Sequence, residues 1–378
     1  MPARAEPRIL HAPADVGGHA YGLSRGEREL GLQSDVVVFA PGPFGYGYDV
    51  DIEAGIDGPV WRRLARRASF LRKAAREYDI FHFNFGLTFL TVRQFGVVLD
   101  ELSLLKRLGK TVLVTYQGCD VRPKEACPCR KPPCYANTRY RAPAARRALA
   151  NADRVFHLNP DLRRWLPGAQ FMPYASVDAR VIKARPEPEP DGEVVIAHAP
   201  TDVDIKGTRL LVAAVEQLRA EGVPVRLDLV QGVDQAEGLP VRLDLIQGVD
   251  QADVLARCAA AHIVVDQLLL GWYGGLAVEA MALGRPVLAY IRELDPADNP
   301  FGDELPIVRT GQDTLADDIR ALVFDAARRQ ELARAGRRFV ETAHDPRRIA
   351  REALAGIIEP PPAPDASAEP AGEATARR

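Results

Sequence analysis

Residues Asp266–Tyr290, DQLLLGWYGGLAVEAMALGRPVLAY, decide the fold. An apolar run leads into a glycine turn, and a helical pattern follows with one carboxylate, Glu279, on an otherwise aliphatic face. The helix is predicted to end at Gly284, with Pro286 just beyond, and a second apolar run covers Val287–Ile291. The order strand, glycine turn, helix, strand is that of a βαβ unit in an open parallel sheet.

The same unit predicts a binding site. Ligands of such sheets lie outside the carboxyl ends of the strands. Gly274 and Gly275 are expected to leave backbone N–H groups uncovered there, at a helix N-terminus whose dipole favours phosphate. Glu279 lies one turn further along, where its carboxylate is able to accept hydrogen bonds from vicinal sugar hydroxyls. A phosphate next to a polyol indicates a nucleotide or a nucleotide sugar.

Length and composition favour a soluble enzyme of two domains. The chain has 378 residues, of which 47% are hydrophobic and 26% charged, and a formal net charge of −2 gives no argument for nucleic-acid binding. No apolar segment reaches membrane-spanning length, and the first ten residues lack a signal-peptide core. Five cysteines, an odd number, favour a reducing cytoplasm.

Strand and helix patterns alternate along both halves of the chain, which predicts two doubly wound α/β domains. Ala184–Gly192 (ARPEPEPDG) has no periodicity and is predicted to be a semi-rigid linker. The predicted strands are Arg8–His11, Asp35–Ala40, Asp79–Phe83, Thr111–Tyr116, Arg154–Leu158, Val194–His198, Val225–Gln231, His262–Asp266, Val287–Ile291 and Pro306–Val308. The main predicted helices are Val60–Tyr78, Arg209–Glu221, Asp253–Ala261, Leu315–Phe324, Arg328–Thr342 and Pro346–Ile358.

A tandem duplication interrupts the second domain. Val223–Gly238 and Leu239–Val254 have nearly the same sequence, and the fold needs only one strand there. The second copy leads straight into a helix and is predicted to supply the strand. The first copy is then an added edge strand, a hairpin or a protruding loop.

Together these features resemble the GT-B glycosyltransferases, specifically the retaining nucleotide-sugar enzymes of family 4, from about Ile9 to Ile358. The resemblance implies two Rossmann-like domains with a cleft between them and a C-terminal helix that crosses back onto the first domain. The predicted division is an acceptor-side domain over 1–182, a linker over 183–192, a nucleotide-sugar domain over 193–344, the crossing helix over 345–358 and a disordered tail over 359–378.

The C-terminal signature carries most of the resemblance, through Tyr273-Gly274, Glu279-Ala280-Met281-Ala282, Gly284 and Pro286-Val287. It implies that Glu279 binds the nucleotide ribose, and that Tyr273 and the turn Gly274–Leu276, with Gly275, bind the donor. The first of the family's two glutamates is replaced by Gly271, which leaves the donor sugar open. The alternative is that Glu279 is a solvated helix residue.

Lys206, in APTDVDIKGT, follows a predicted strand and precedes a helix, so its ammonium is expected to reach phosphate at the sheet edge. There it would neutralise charge on the departing nucleoside diphosphate. The resemblance implies an arginine five residues earlier, where Thr201 stands instead. A chance Lys-Gly pair is the alternative.

In the first domain, Gly17-Gly18 matches the family's glycine loop, which the resemblance places beside the donor phosphate and the acceptor. His82 is a candidate catalytic residue, although a lone histidine at a strand end is as often a satisfied core residue. TYQGCDVR keeps Gly118, Asp120 and Arg122 of the family pattern.

The sequence contains no convincing pair of a nucleophile and a base, and no P-loop, HExxH or GxSxG motif. This fits same-face attack within an ion pair, in which the donor's own phosphate oxygen takes the acceptor proton. Neither a metal nor a cofactor beyond the donor is expected. Asp49/Asp51 and Asp202/Asp204 are interpreted as chance Asp-x-Asp pairs.

Two further features keep more than one interpretation. Zinc, a labile disulfide or free thiols are open for Cys119, Cys127, Cys129 and Cys134. A basic face on the Val60–Tyr78 helix is either a peripheral contact with an anionic membrane or a solvated helix face. Its members are Arg62, Arg63, Arg66, Arg67, Lys73 and Arg76.

The sequence therefore predicts a glycosyltransferase that acts on a nucleotide-sugar donor and on a glycan, lipid-linked or small-molecule acceptor, with retention. Two alternatives stay open. One is a nucleotide-sugar or glycan-binding protein of weakened catalysis, motivated by Gly271 and Thr201. The other is a nucleotide-sugar epimerase of the same fold.

Overall fold

The computed structural model describes residues 6–42, 45–56, 59–92, 97–126, 140–189, 192–229, 251–294 and 298–358. Its strands form two large parallel sheets and one small antiparallel pair. They are β1 (Arg8–Ala12), β2 (Gln33–Val38), β3 (Val50–Asp51), β4 (Ile80–Asn84), β5 (Thr91–Val92), β6 (Val97–Val98), β7 (Thr111–Tyr116), β8 (Arg154–His157), β9 (Gln170–Phe171), β10 (Val194–His198), β11 (Val225–Leu229), β12 (Ile263–Val265), β13 (Val287–Ala289) and β14 (Val308–Arg309).

Both sheets are doubly wound. The first has the order β3-β2-β1-β4-β7-β8-β9, the second has the order β11-β10-β12-β13-β14, and neighbouring strands run parallel throughout. In each sheet the chain starts at an inner strand and winds outward in both directions. The crevice at such a switch point lies beside β1 in the first sheet and beside β10 in the second.

Helices connect the strands in the manner of βαβ units. The Pro- and Glu-rich segment between β9 and β10 joins the two sheets and is called the linker below. The helices are α1 (His19–Glu29), α2 (Val60–Glu77), α3 (Glu101–Arg107), α4 (Arg141–Asn151), α5 (Val203–Lys206), α6 (Thr208–Ala220), α7 (Gln251–Ala260), α8 (Gly275–Ala282), α9 (Leu315–Phe324), α10 (Ala326–Ala343) and α11 (Pro346–Leu354).

Alternation along the strands builds a core on each face of a sheet. In β1, Leu10 packs with Phe81 and Phe83 on one face, whereas Ile9 packs with Ile80 on the other. All five residues of β4 are buried because this strand lies between β1 and β7 with helices on both faces. The second sheet has the same two-sided core.

The last helix, α11, packs on α1 of the first sheet. Ile349 and Leu354 share a buried cluster with Ile9 and Leu23. Gly26 permits this approach, since a Cβ at this position would collide with the backbone of Pro346. The C-terminal end of the described chain therefore belongs to the core of the N-terminal half.

The strand beside β10 is formed by the first copy of the duplication, within the predicted strand Val225–Gln231, so the expectation that the second copy supplies it is wrong. Val225–Leu229 pairs with β10 along its whole length. The first copy follows the end of α6 directly, and the amide of Val223 still donates to the Leu218 carbonyl at 2.9 Å. The chain thus enters the sheet at the first strand-forming segment available, and most of the second copy lies outside the described residues.

The predicted faces of α2 need two corrections. The amphipathic pattern of the helix places Trp61 on the apolar face, opposite the basic one, but Trp61 is 64% exposed. Arg67 was assigned to the exposed basic face, but its guanidinium lies 3.5 Å from the Phe39 ring centroid and 2.5 Å from Glu53 Oε1. The helix is amphipathic, but its apolar stripe is narrower than predicted because Arg67 supplies part of the buried surface.

In the part of the chain that the structure describes, none of the helices is both long enough and apolar enough to span a bilayer. The predicted disordered tail, residues 359–378, lies outside the described residues. Cys127, Cys129 and Cys134 also lie outside the described residues, so the zinc, disulfide and free-thiol interpretations stay open.

Candidate functional site

Lys206 lies at the carboxyl edge of the second sheet, in the loop after β10. Asp202 caps the short helix α5, because its Oδ1 accepts hydrogen bonds at 3.0 Å from the backbone amides of Asp204 and Ile205. Lys206 is the last residue of α5, and its carbonyl accepts from the Leu268 amide at 2.9 Å. This bond ties the loop after β10 to the loop after β12.

The Lys206 ammonium is held by two side chains that follow β12. Its Nζ donates to Gln267 Oε1 at 2.5 Å and lies 3.7 Å from Asp266 Oδ1. Asp266 is only 1% exposed, and its Oδ1 has no hydrogen-bond partner among the described residues. The ammonium therefore sits at the edge of a buried carboxylate without a tight ion pair, and it remains able to bind a second anion.

The turn after β12 brings Gly274 against the same carboxylate. The Gly274 amide donates to Asp266 Oδ2 at 2.5 Å. A Cβ at Gly274 would lie 3.2 Å from this oxygen and 3.3 Å from Lys206 Nζ, which explains the glycine. The expectation that the Gly274 N–H is uncovered is wrong, because Asp266 accepts it. No side chain caps the N-terminus of α8, so the amides open to an anion begin at Gly275.

Glu279 lies one turn into α8 and is 5% exposed. Burial raises the pKa of its carboxyl to about 7, a hydrogen bond from Gln251 opposes this shift, and the charge on Asp266 adds to it. Gln251 Nε2 donates to Glu279 Oε1 at 2.6 Å. The solvated-residue alternative for Glu279 does not fit this burial. Asp266 bears on both predicted residues, because its carboxylate lies 3.7 Å from Lys206 Nζ and its charge raises the pKa of Glu279.

The first sheet contributes a glycine loop to this site. Gly17 and Gly18 follow β1 with φ angles of 66° and 71°, in the left-handed region, and lead directly into α1. A Cβ at Gly18 would lie 2.6 Å from the ring of Tyr46. The pKa of the Tyr46 hydroxyl is raised by burial, then by the charges on Glu279 and Asp15. Tyr46 thus lies against the glycine loop of one sheet, and its hydroxyl is influenced by the charge on Glu279 of the other.

Asp15 is a further titratable group on this side. Its Oδ1 accepts from the Ala20 amide at 2.9 Å at the start of α1, and its Oδ2 is buried without a partner among the described residues. Burial raises its pKa to about 6, although the amides of Ala20 and Tyr21 oppose the shift. A carboxyl of this kind exchanges its proton near neutral pH.

Four further residues of the candidate site were not predicted from the sequence, namely Asp266, Gln267, Tyr46 and Arg292. Asp266 and Gln267 directly follow the apolar run of β12, which was a signal for the carboxyl edge. Tyr46 lies between Gly45 and Gly47, but nothing local indicates its contact with Gly18.

Arg292 stands beside Gly271, which replaces the family's first glutamate. The Arg292 amide donates to the Gly271 carbonyl at 3.0 Å. Gly271 has a φ of 76°, and a Cβ there would lie 3.0 Å from Arg292 Cβ and 3.1 Å from its Nε. Arg292 Nη1 lies 3.6 Å from Asp161 Oδ2, which belongs to the other half of the chain. A glutamate at this position would need a strained backbone and a shift of the Arg292 side chain.

The remaining predicted residues lie away from this cluster or present only their backbone to it. Tyr273 is fully buried, and its hydroxyl donates to His344 Nε2 at 3.1 Å, since His344 Nδ1 donates to the Tyr174 carbonyl. Its predicted contact with the nucleotide therefore does not fit its side chain. Thr201 is exposed on the loop before α5, and Leu276 is half-buried in the first turn of α8.

His82 lies in the core of the first sheet. It is 1% exposed, its Nε2 is 2.7 Å from Thr115 Oγ1, and its ring centroid is 4.9 Å from that of His11. Burial, and then the neighbouring His11 and His19, lower its pKa well below the ordinary value, so the ring is neutral. This is the satisfied core histidine of the second interpretation, and the predicted catalytic role has no support from its position.

Asp120 and Arg122 are occupied in holding the loop after β7. Asp120 accepts from the amides of Gln117 and Gly118 at 2.9 and 2.7 Å. Arg122 binds Asp161 through Nε at 3.1 Å and Nη2 at 2.9 Å. Their match to the family pattern is therefore accounted for by loop structure. The residues that the structure describes contain no group of three or more His, Cys, Asp or Glu side chains that fits a metal ion.

Neither a protein-family model nor a curated protein matches this chain. Solved structures do resemble it. A Listeria monocytogenes protein named as a UDP-N-acetylglucosamine 2-epimerase is 16% identical, with 93% of this chain and 96% of that chain covered and a TM-score of 0.58. WaaG, a glycosyltransferase involved in lipopolysaccharide biosynthesis, is 16% identical, with 92% and 100% covered and a TM-score of 0.56. The S. aureus MnaA–UDP structure is 15% identical, with 93% and 96% covered and a TM-score of 0.52.

This likeness is one of fold. The chain has the GT-B architecture of two Rossmann-like α/β units, each built on a parallel sheet, as the sequence predicted. Proteins of this fold include glycosyltransferases and epimerases that act on nucleotide sugars, so the fold by itself does not choose between the two reactions.

Proposed function

We propose that this protein is a retaining glycosyltransferase of the family 4 type, which transfers a sugar from a nucleoside-diphosphate sugar to an acceptor hydroxyl. The observation that supports this most is the position of Lys206, 3.7 Å from a buried carboxylate, Asp266, whose charge also raises the pKa of Glu279. Lys206 and Asp266 both lie near the N-terminus of α8, which none of the described side chains caps. The site joins an ammonium, open helix amides and a buried carboxylate, which are the groups that a diphosphate next to a ribose requires.

In this proposal each group has a separate part in donor binding. The amides of Gly275 and Leu276 bind the diphosphate, and Lys206 neutralises the charge that grows on it as the glycosidic bond breaks. Glu279 accepts hydrogen bonds from the ribose hydroxyls. Asp266 keeps Lys206 and the glycine turn in place, because it bonds the Gly274 amide and attracts the ammonium.

The acceptor hydroxyl attacks from the face that the leaving diphosphate vacates, so the configuration is retained. A phosphate oxygen of the donor takes the acceptor proton, and no protein nucleophile or further cofactor takes part. The protein contributes positioning and charge stabilisation. The acceptor is a glycan, a lipid-linked sugar or a small molecule in the cytoplasm. For a lipid-linked acceptor, the exposed Arg62, Arg66, Lys73 and Arg76 of α2 offer a peripheral contact with an anionic membrane.

A nucleotide-sugar epimerase is the second candidate. The structural likeness to epimerases equals that to glycosyltransferases, and Asp15 supplies a carboxyl with a pKa of about 6 and one unpartnered oxygen beside Tyr46. Epimerisation requires such an acid or base near the sugar. A binding protein of weakened catalysis is the third candidate, because Thr201 and Gly271 stand where the family has charged groups.

The test is incubation of the protein with a panel of nucleoside-diphosphate sugars, with and without hydroxyl acceptors. Release of nucleoside diphosphate and the identity of every sugar product are measured by chromatography and NMR. For the proposed transferase, release depends on the acceptor, and the product keeps the anomeric configuration of the donor. Lys206→Ala lowers the turnover by about 10²–10³-fold. Lys183→Ala, an exposed lysine of the linker, is the matched control and keeps wild-type turnover.

Each alternative has its own signature. An epimeric nucleotide sugar that forms without an acceptor, with its diphosphate intact, identifies an epimerase and contradicts the transferase. Donor binding without turnover in the wild type identifies a binding protein. Equal turnover of Lys206→Ala and Lys183→Ala contradicts the assigned site.

A further inference from the structure

A cavity of about 410 Å³ lies at the amino edge of the C-terminal sheet. It is lined by His262, which precedes β12, and by Gly284 to Pro286, which precede β13. Lys206 and Asp266 instead follow their strands, so this cavity is at the opposite edge from the proposed donor site. Its other walls are the linker residues 184–187 and one face of α10.

The lining is strongly basic. It contains one carboxylate, Glu187, against six guanidinium groups, although the whole chain has a formal net charge of −2. Such a concentration of one sign in a partly enclosed space attracts anions. The six arginines are Arg185, Arg285, Arg329, Arg334, Arg337 and Arg338.

Three of these arginines build the walls. Arg285 donates to the carbonyls of two linker residues at 3.0 and 2.7 Å, and Arg337 donates to the carbonyls of Ile182 and Ala282 at 2.6 Å. Arg329 Nε binds Glu187 at 2.5 Å, and its Nη1 donates to carbonyls at the end of α9. These bonds fix the linker against α10 and the sheet, so the cavity is formed without a ligand.

The other three arginines have no such use. The side chains of Arg185, Arg334 and Arg338 make no hydrogen bond or ion pair with any of the residues for which the structure gives a placement. Arg334 and Arg338 are four residues apart on one face of α10, and Arg185 belongs to the linker. In addition, Arg285 is 1% exposed and its Nε–H has no partner among the described residues. Donors without a protein partner thus belong to three exposed arginines on two walls of the cavity and to one buried lining residue, Arg285.

We propose that this cavity binds a soluble small molecule that carries a di- or triphosphate group, at a site separate from the donor site. Guanidinium groups bind phosphate oxygens in pairs of parallel hydrogen bonds, and several of them match a polyphosphate better than a single carboxylate. The burial of Arg285 favours a small ligand that enters the cavity over a flat anionic surface. Because the linker joins the two sheets, such a ligand would link this joint to α10 and act as an effector.

Isothermal titration of the full-length protein with sodium tripolyphosphate tests the proposal. The expected result is saturable binding whose affinity falls by about tenfold or more in Arg334→Ala/Arg338→Ala, because two charge-assisted contacts are lost. The matched control is Arg72→Ala/Arg76→Ala on α2. It removes two exposed arginines with the same four-residue spacing, and it changes the net charge of the protein by the same amount. This control keeps the wild-type affinity, and thermal melts verify that both variants are folded.

Lys206→Ala separates this site from the proposed donor site, which would also bind polyphosphate. Tripolyphosphate binding that survives Lys206→Ala but is weakened by Arg334→Ala/Arg338→Ala supports the inference, whether or not the protein proves to be a transferase. An equal loss in the α2 control, or a loss only in Lys206→Ala, overturns it. Sedimentation with phosphatidylglycerol vesicles that depends on Arg334 and Arg338, without tripolyphosphate binding, overturns the assignment to a soluble ligand.

Discussion

The carboxyl edges of the two sheets carry similar polar residues but use them differently. In the first sheet, Asp120 accepts two amides of its own loop, and Arg122 binds Asp161 through two nitrogens. In the second sheet, Asp266 keeps one oxygen without a hydrogen bond, 3.7 Å from Lys206. Position at a sheet edge is therefore not enough to identify a binding residue. The useful sign is a buried polar group that its own fold leaves incompletely satisfied.

The two edges also differ in their charge balance. Asp120 is compensated by backbone amides and by Arg122, although burial still raises its pKa to about 6. Among the described residues, Gln251 donates the one hydrogen bond given for the Glu279 carboxylate, and the charge on Asp266 disfavours its ionised form. The ionised Glu279 carboxylate therefore lowers the stability of the ligand-free protein. Binding sites commonly contain groups that are destabilising until the ligand is bound.

The largest effect on the site at the second sheet is expected for Gly274→Val. The valine Cβ would lie 3.2 Å from Asp266 Oδ2 and 3.3 Å from Lys206 Nζ. Its methyl groups would fill the remaining space and displace the ammonium. We expect the affinity for the donor's nucleoside diphosphate to fall by about ten- to hundredfold, as measured by calorimetry. Gly311→Val is the control, because a Cβ at Gly311 meets nothing within 4 Å. Equal affinities of the two variants would show that the turn does not shape the site.

Glu279→Gln should weaken nucleotide binding by about tenfold at pH 8 and remove its pH dependence. The pKa of Glu279 is about 7, so below this pH the carboxyl is mostly protonated and has to release its proton to accept both ribose hydroxyls. Wild-type affinity is therefore expected to rise from pH 6 to pH 8 and then to level off. Titrations over this range measure both effects, and a flat wild-type profile would contradict the ribose role.

Asp120→Asn should act on stability and leave binding unchanged. The amide oxygen accepts fewer of the Gln117 and Gly118 hydrogen bonds, which costs about 1–3 kcal/mol of unfolding free energy. Burial raises the pKa of Asp120 from 3.8 to about 6 on folding, so the unfolding free energy of the wild type should fall as the pH rises from about 4 to about 6. Asp120→Asn does not titrate and should remove this fall. Denaturant unfolding measures the stability. A loss of nucleotide affinity at wild-type stability would instead place Asp120 in the binding site.

The smallest effect is expected for His82→Gln. A neutral histidine bonded to Thr115 inside the core has no access to substrate, so turnover per folded molecule should change by less than about twofold. A general acid or base would contribute about 10²–10⁴-fold. Turnover is normalised to the folded fraction from a thermal melt. A large loss at unchanged stability would restore the catalytic role predicted from the sequence.

Much of the architecture could be predicted from the sequence. The order of apolar runs, glycine turns and amphipathic segments indicated both parallel sheets, and most predicted strands lie within two residues of the observed ones. The duplicated segment shows where local patterns stop, because Val225–Gln231 was predicted as a strand while the second copy was preferred for its position. Two nearly identical copies have the same local preference for a strand, so only their connection to α6 on one side and α7 on the other distinguishes them.

The site was less accessible than the fold. Lys206 and Glu279 were found because strand, turn and helix patterns fix their positions at one edge. Tyr273 and His82 were misjudged, because the same patterns do not show that one ring packs on His344, 71 residues away, or that the other is bonded to Thr115, 33 residues away.

The sequence by itself determined which segments form strands and helices and where glycine is needed, because these properties depend on backbone sterics and on the period of apolar residues. The tertiary structure decided which polar groups are satisfied. Asp266 binds the Gly274 amide, Tyr46 covers Gly18, and Arg292 fills the space beside Gly271 only after distant loops have packed together. Burial and charge at a site are sums over such neighbours, and no local pattern contains them.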